Sequence, residues 1–303
     1  MPNILVSGLI NLETTVLVDS FPIEYSSVRY PFFGVNTTVS GVGYNLGRAL
    51  TKLGGTVTLL SLVGMDFQGK VVVDDLASHG INADFVLRTL RQTPQSAILY
   101  DRQGRRQVNT DLKDIQEQTY PLARFRAALE STGPHEIVVL TNINFSRPFL
   151  PIAHQAGKMI ATDVHVISNL DDEYNADFMR YANILFMSGE ALPCAPEEWA
   201  QRVVGRYGTE ILVIGLGAEG ALLSVKSRGL LERVPAVHAR EVVSTVGAGD
   251  ALFAAFVHFY AGSRDPHEAL RKAMFFASYK IGTVGGAQGF LTEAELGNLM
   301  RKA

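Results

Sequence analysis

Ser244-Thr245-Val246-Gly247-Ala248-Gly249-Asp250 sets three small residues directly before one carboxylate. The next seven residues, Ala251-Leu252-Phe253-Ala254-Ala255-Phe256-Val257, are apolar on every face. A run of that kind reads as a buried helix. Its mouth has no bulky side chains, so the backbone N–H groups of Gly247, Ala248 and Gly249 can converge on an anion at the positive end of the helix. Asp250 in the first turn has two readings: it complements the helix dipole, or it acts on a substrate. A cap needs only one Ser or Asp, so the three small residues favour the second. An anion hole beside a carboxylate suits phosphoryl transfer to a hydroxyl. The hole holds the migrating charge, and the carboxylate accepts the hydroxyl proton. The helix N-terminus is expected to keep Asp250 a weak base. In a loose transition state the proton leaves late, so orientation outweighs basicity.

Other glycine-rich windows divide on physical grounds. In Ser40-Gly41-Val42-Gly43-Tyr44-Asn45, Gly41 and Gly43 would let the backbone approach a small polar ligand, and Asn45 would offer a donor and an acceptor at a helix start. Taken alone, Asn45 reads as a turn or cap residue. Gly215-Leu216-Gly217-Ala218-Glu219-Gly220 has the spacing of a dinucleotide fingerprint, but a helix must follow it. Here Ala221-Leu222-Leu223-Ser224-Val225 continues as a strand, which rejects that reading. Gly64 to Val71 approaches a P-loop, yet Val71 offers no oxygen to a metal where Ser or Thr is required. The seven histidines show no ligand spacing, and Asp163-x-His165 reads as a strand-end polar pair.

The Ser244–Val257 window resembles the C-terminal signature of the ribokinase-like (PfkB) carbohydrate kinases. Ser40 to Asn45, with Gly54 and Gly64 downstream, resembles that family's N-terminal signature, some two hundred residues earlier and in the family's order. The resemblance implies an ATP- and Mg²⁺-dependent kinase of a small sugar. Asp250 is then the base, Gly247, Ala248 and Gly249 the anion hole, and Asn11, Glu13, Gly41, Gly43 and Asn45 the substrate grip. It also implies that Gly215, Gly217 and Gly220 line the ATP phosphates, that Gly286 in the Thr283–Gly289 loop lies on the adenine side, and that Glu190 serves the metal.

Four positions depart from the family pattern: Glu13 for an Asp, Met187 for an Asn, Ser244 for an Asp, and Phe290 for a small polar residue. The last two remove oxygen ligands and imply weak or absent monovalent-cation activation. Two substrate alternatives remain open at this stage. A nucleoside would stack on Tyr30, Phe32 or Phe33, and a phosphosugar would use Arg29, Arg105 or Arg106. Met187 and Ser244 also keep open a kinase fold that senses a sugar or nucleotide without turnover. Tyr30-Pro31-Phe32-Phe33 suggests a homodimer paired through a lid.

The elements that must position these residues are short apolar strands alternating with amphipathic helices. Candidate strands are Ile4–Gly8, Thr56–Ser61, Glu136–Leu140, Lys158–Thr162, Asn183–Met187 and Glu210–Ile214. Leu46, Ala49, Leu50 and Leu53 form a helical stripe stopped by Gly54, and Asp265-Pro266-x-Glu268 opens another helix closed by Gly282. This alternation implies a three-layer α/β/α sandwich on a mostly parallel sheet, one kinase domain over 1–303. Two antiparallel excursions, about 12–40 and 95–112, would form a small β lid, the second a hairpin turning at Asp101–Gly104. Of the 303 residues 47% are hydrophobic and 19% charged, and the formal net charge is −3. That composition suits a large core and offers no basic excess for nucleic acid. One cysteine, Cys194, excludes an internal disulfide framework. With no signal-like start and no membrane-length apolar run, a cytoplasmic protein is expected.

Overall fold

In a computed structural model the structure describes residues 1–131 and 137–302. From the N-terminus, β1 (Asn3–Ser7), β2 (Asn11–Leu17) and β3 (Val35–Ser40) lead into α1 (Val42–Lys52) and β4 (Thr56–Gly64). There follow α2 (Phe67–Ser78), β5 (Val86–Leu90), β6 (Gln95–Tyr100), β7 (Arg106–Asp111) and α3 (Leu122–Ser131). The chain continues through β8 (Ile137–Leu140), α4 (Phe149–Gln155), β9 (Met159–Val166), α5 (Ala176–Tyr181), β10 (Ile184–Ser188) and α6 (Pro196–Tyr207). It ends with β11 (Ile211–Gly215), β12 (Ala221–Val225), β13 (Leu230–Val234), α7 (Ala248–Ser263), α8 (Pro266–Lys280) and α9 (Glu293–Lys302). Glu136, expected to open the strand before Leu140, lies outside the described residues.

The large sheet runs β13-β12-β11-β10-β9-β8-β1-β4-β5. Every pair from β5 to β11 is parallel, and β12 and β13 add an antiparallel edge. Strand alternation explains the layers. Ile4 and Val6 of β1, with Ile211 and Val213 of β11, point to one face, where they meet Leu50, Phe253, Phe256 and Phe276. Leu5, Leu212 and Ile214 point to the other, where they meet Phe125, Phe149, Phe178 and Trp199. Helices therefore cover both faces of a buried parallel sheet, giving the three-layer sandwich. Each fully buried aromatic or aliphatic side chain contributes about 1.5–3 kcal/mol to that packing.

Local signals behave as their chemistry dictates. Leu46, Ala49, Leu50 and Leu53 are buried along α1 and just past it, and Gly54 takes a left-handed φ of 95° after it. The Asp265 carboxylate accepts from the amides of His267 at 2.9 Å and Glu268 at 3.1 Å, capping α8. Asp66 likewise accepts from the Gly69 amide at 2.9 Å, so the Gly64–Val71 stretch is a strand end and helix start. Residues Ala251 to Tyr260 of α7 are buried on all sides. Among the described residues no helix is long and apolar enough to cross a membrane.

The second sheet runs β3-β2-β6-β7. Its two outer pairs are antiparallel, while β2 and β6 pair in parallel, Leu12 opposite Gln95 through Leu17 opposite Tyr100. Asp101 shapes the β6–β7 turn by accepting from the amides of Gln103 at 3.0 Å and Arg105 at 2.9 Å. Around this sheet Tyr25, Tyr30, Phe32, Phe33 and Val108 are exposed.

Candidate active site

The site forms where the carboxyl ends of β1, β9, β10 and β11 meet the starts of α1 and α7, the usual location in open parallel sheets. Its centre is a contact between two distant segments. The Asn45 Nδ2 donates to Asp250 Oδ2 at 2.7 Å, across 205 residues of sequence. Behind Asn45, the Ser40 hydroxyl donates to Glu13 Oε2 at 3.0 Å and lies 3.4 Å from Asn45 Oδ1. On β2, period-two alternation buries Asn11, Glu13 and Thr15 together. The Asn11 amide donates to Ser96 of β6 at 2.6 Å. Asn11 Oδ1 and Glu13 Oε1 are buried acceptors with no partner. A buried acceptor left unmet is costly, and hydroxyl donors of a polyol would meet both.

Gly41 and Gly43 serve this arrangement in a way their spacing did not show. Gly41 has φ 99°, and a Cβ there would meet Leu9 O at 2.6 Å. A Cβ on Gly43 would lie 2.6 Å from the Gly8 carbonyl carbon, and its amide donates to Leu9 O at 2.9 Å. Both glycines admit the close approach of the loop after β1.

The mouth of α7 is open, with one amendment. Gly247 takes a left-handed φ of 74°, and a Cβ on it would collide with Gly286 O. The Ala248 amide turns back to Thr245 O at 3.1 Å, so Ala248 is not a free donor of the hole. The amides of Gly247, Gly249 and Asp250 have no partner among the described residues, and a Cβ on Gly249 would meet only open space. Asp250 also departs from expectation. Burial pushes its carboxyl above the ordinary carboxylate range, outweighing the Asn45 hydrogen bond. It is therefore a stronger base than its place at a helix N-terminus implies. Burial likewise raises Glu13, against the Ser40 hydrogen bond.

The remaining positions sort by geometry. Gly215, Gly217 and Gly220 bracket the tight turn between β11 and β12, which pair antiparallel, so no dinucleotide-type helix follows. Gly217 opens to free space with φ 59°, whereas a Cβ on Gly220 would strike Val234 O. Gly286 packs against the pocket: a Cβ there would meet Ser40 Oγ at 2.7 Å and Asn45 Nδ2 at 2.8 Å, and its amide lies close enough to act on the Glu13 carboxylate. Glu190 is exposed just past β10, and its amide donates to Ser188 Oγ at 3.2 Å. Met187 is buried in the core, where the Trp199 indole donates to its sulfur at 3.3 Å. Among the described residues no group of three acidic, His or Cys side chains could cage a metal. A metal carried mainly on substrate phosphates, with one carboxylate at hand, fits that donor set.

Four residues take places here that the sequence did not assign them. Asp163 and His165, at the end of β9, lie close enough for their charges to act on Asp250. Arg106 of β7 donates to Thr245 Oγ1 at 2.7 Å, tying the small sheet to the α7 mouth. Lys280, at the end of α8, is fully buried beside the same mouth. The D-x-H spacing was a usable signal for the first pair, and Arg106 was singled out in another role; nothing local announced Lys280.

A helix mouth with free amides, facing a basic carboxylate that is tethered to a polar pocket, defines a phosphoryl-transfer enzyme. Comparison gives the same class. The model of the pfkB family of carbohydrate kinases matches residues 1–293. The ribokinase of Bacillus subtilis is 24% identical over 99% of this chain and 100% of its own, and the deoxyribokinase of Salmonella typhi is 24% identical over 91% and 90%. The structure of a microbiome-derived acarbose kinase, Mak1, superposes with a TM-score of 0.87 at 25% identity, covering 99% of each chain. The chain belongs to the pfkB family of carbohydrate kinases, and its architecture is the ribokinase-like fold.

Proposed function

We propose that this kinase moves the γ-phosphoryl group of ATP to an alcohol of a small unphosphorylated sugar. One observation carries the reading: the Asn45–Asp250 hydrogen bond joins the base to a pocket whose buried acceptors, Asn11 Oδ1 and Glu13 Oε1, lack donors. A sugar's hydroxyls are the donors that pocket asks for. The attacking hydroxyl forms the new O–P bond as the bond from γ-phosphorus to the ADP oxygen breaks, and its proton passes to Asp250 Oδ. The amides of Gly247, Gly249 and Asp250 hold the charge on the phosphoryl oxygens in transit. The turn at Gly215–Gly220 receives the nucleotide. Mg²⁺ would come with the phosphates near Glu190 and neutralise their charge.

The arginines argue against a phosphosugar. Arg29 pairs with the Asp19 carboxylate and Arg105 with that of Asp101 at 2.7 Å, so both charges are answered, and Arg106 donates to the Thr245 hydroxyl at 2.7 Å. An ADP-coupled assay across ribose, fructose, nucleosides and hexose phosphates tests the assignment. Highest kcat/KM on a free sugar is expected; preference for a nucleoside or a hexose phosphate would refute it. The exposed Tyr30, Phe32 and Phe33 suit pairing of two copies through the small sheet. Light scattering at micromolar protein should then give twice the 33.0 kDa chain mass, and a monomer mass would end that part of the proposal.

A further inference from the structure

Lys280 is a lysine buried completely, at the last position of α8. Neither of its hydrogen bonds goes to a carboxylate. Its Nζ donates to Gly285 O at 2.7 Å, in the loop after α8, and to Val246 O, in the loop before α7. An ordinary lysine near a helix C-terminus lies in solvent and bonds its own helix's last carbonyls. Lys280 instead bridges two loops that meet only in the folded protein, and both belong to the site. Val246 immediately precedes Gly247, whose amide opens the anion hole. Gly285 immediately precedes Gly286, which packs on Gly247, Ser40 and Asn45. Burying an ammonium is expensive unless charge answers it. Asp250 of α7 and Glu13 of β2 supply that charge, while Arg106 of β7 and Arg240 oppose it.

We propose that the Lys280 ammonium is a built-in monovalent cation, a positioning residue that clamps the carbonyls of Val246 and Gly285 so that the amides of the α7 mouth face the phosphoryl group. A carbonyl held by an ammonium points away from the hole, and the N–H of the same trans peptide, that of Gly247 after Val246, points the opposite way, into it. The same pair of carbonyls would otherwise suit a potassium or ammonium ion, since backbone carbonyls readily replace a monovalent ion's water. The fixed amine makes a dissociable ion unnecessary. The catalytic part of this inference rests on the kinase reading; the cation-site part stands on geometry alone.

Lys280→Ala provides the test, because truncation empties the ammonium's place and leaves both carbonyls. With the best substrate of the panel, kcat should fall by about 100-fold, the scale of losing a transition-state donor. Potassium or ammonium chloride at about 100 mM should restore at least a tenth of the loss. Choline chloride at equal ionic strength should restore nothing, and the parent should change less than about twofold in all three salts. In crystals of Lys280→Ala grown with thallium, anomalous density is expected between Val246 O and Gly285 O. Its absence overturns the site even if no sugar in the panel turns over, whereas a thallium peak without parental turnover sinks only the kinase reading. Lys280→Met keeps the stem and loses the charge; a folded Met variant with parental kcat also overturns the proposal.

Should neither variant fold, the parent decides. Burial lowers the Lys280 amine to about 8, against 10.5 for the ordinary side chain. Between those values the unfolded chain binds more protons than the folded one, so stability rises with pH while the clamp loses its charge. Turnover falling above about pH 8 in a protein that melts no earlier is the expected result, and a flat profile from 8 to 10 contradicts it.

Discussion

Asp250→Asn should lower kcat by about 10²–10⁴-fold, the usual worth of a positioned general base, and leave ATP affinity within about twofold. Asparagine keeps the size of the side chain and can still accept from Asn45, so the tether survives. It cannot take a proton. The backbone amides proposed to hold the phosphates are untouched, which is why binding and turnover should separate in calorimetry and coupled assay. The parent's pH profile carries the same information. Burial favours the neutral acid, so the active carboxylate form appears only as pH rises through a value above the ordinary carboxylate range. The acid limb of kcat/KM should lie there and vanish in the variant. Stability runs the other way. A carboxyl whose folded value is raised contributes most when protonated, and that contribution is lost as pH climbs through the folded value. At neutral pH the asparagine protein should therefore melt no lower than the parent. A variant with parental kcat would remove Asp250 from the chemistry.

Gly249→Ala should separate stability from activity in the opposite sense. Gly249 lies in the first turn of α7 without a left-handed φ, and a Cβ there touches nothing within 4 Å. Alanine in a helix is favoured over glycine by roughly 0.5–1 kcal/mol, so thermal melting should show an unchanged or slightly higher midpoint. The new methyl group, however, stands in the open space before the free amides. Loss of one anion-hole donor costs about 10²–10³ in kcat, and a comparable fall is expected here with the fold intact. Parental turnover in Gly249→Ala would mean that the phosphoryl group does not pass in front of this turn.

The features legible in the sequence were those set by local pattern. An apolar run with a small-residue mouth marks α7 and Asp250, the family resemblance marks Asn11 and Glu13, and the strand after Gly220 rules out a dinucleotide fold. What the sequence concealed is non-local. Gly43 is small because Gly8 presses on it, and Gly286 because Asn45 and Ser40 do; neither neighbour is near in sequence. The parallel pairing of β2 with β6 joins segments separated by two helices and three strands. The basicity of Asp250 depends on how deeply α7 is buried, and burial overrode the dipole argument that the helix start invited. Lys280 closes α8 with no local signal that the fold buries it completely. Charged residues are the ones whose surroundings local periodicity describes least well, because their partners are chosen by tertiary packing.

A structure of the protein with ADP, aluminium fluoride and its best sugar would examine the centre of this account most directly. The planar fluoride group, mimicking the phosphoryl group in flight, should accept hydrogen bonds from the amides of Gly249 and Asp250, with one sugar hydroxyl in line with it and within hydrogen-bond distance of the Asp250 carboxylate. A fluoride group bound away from the start of α7, or a sugar whose hydroxyl meets some other base, would contradict it.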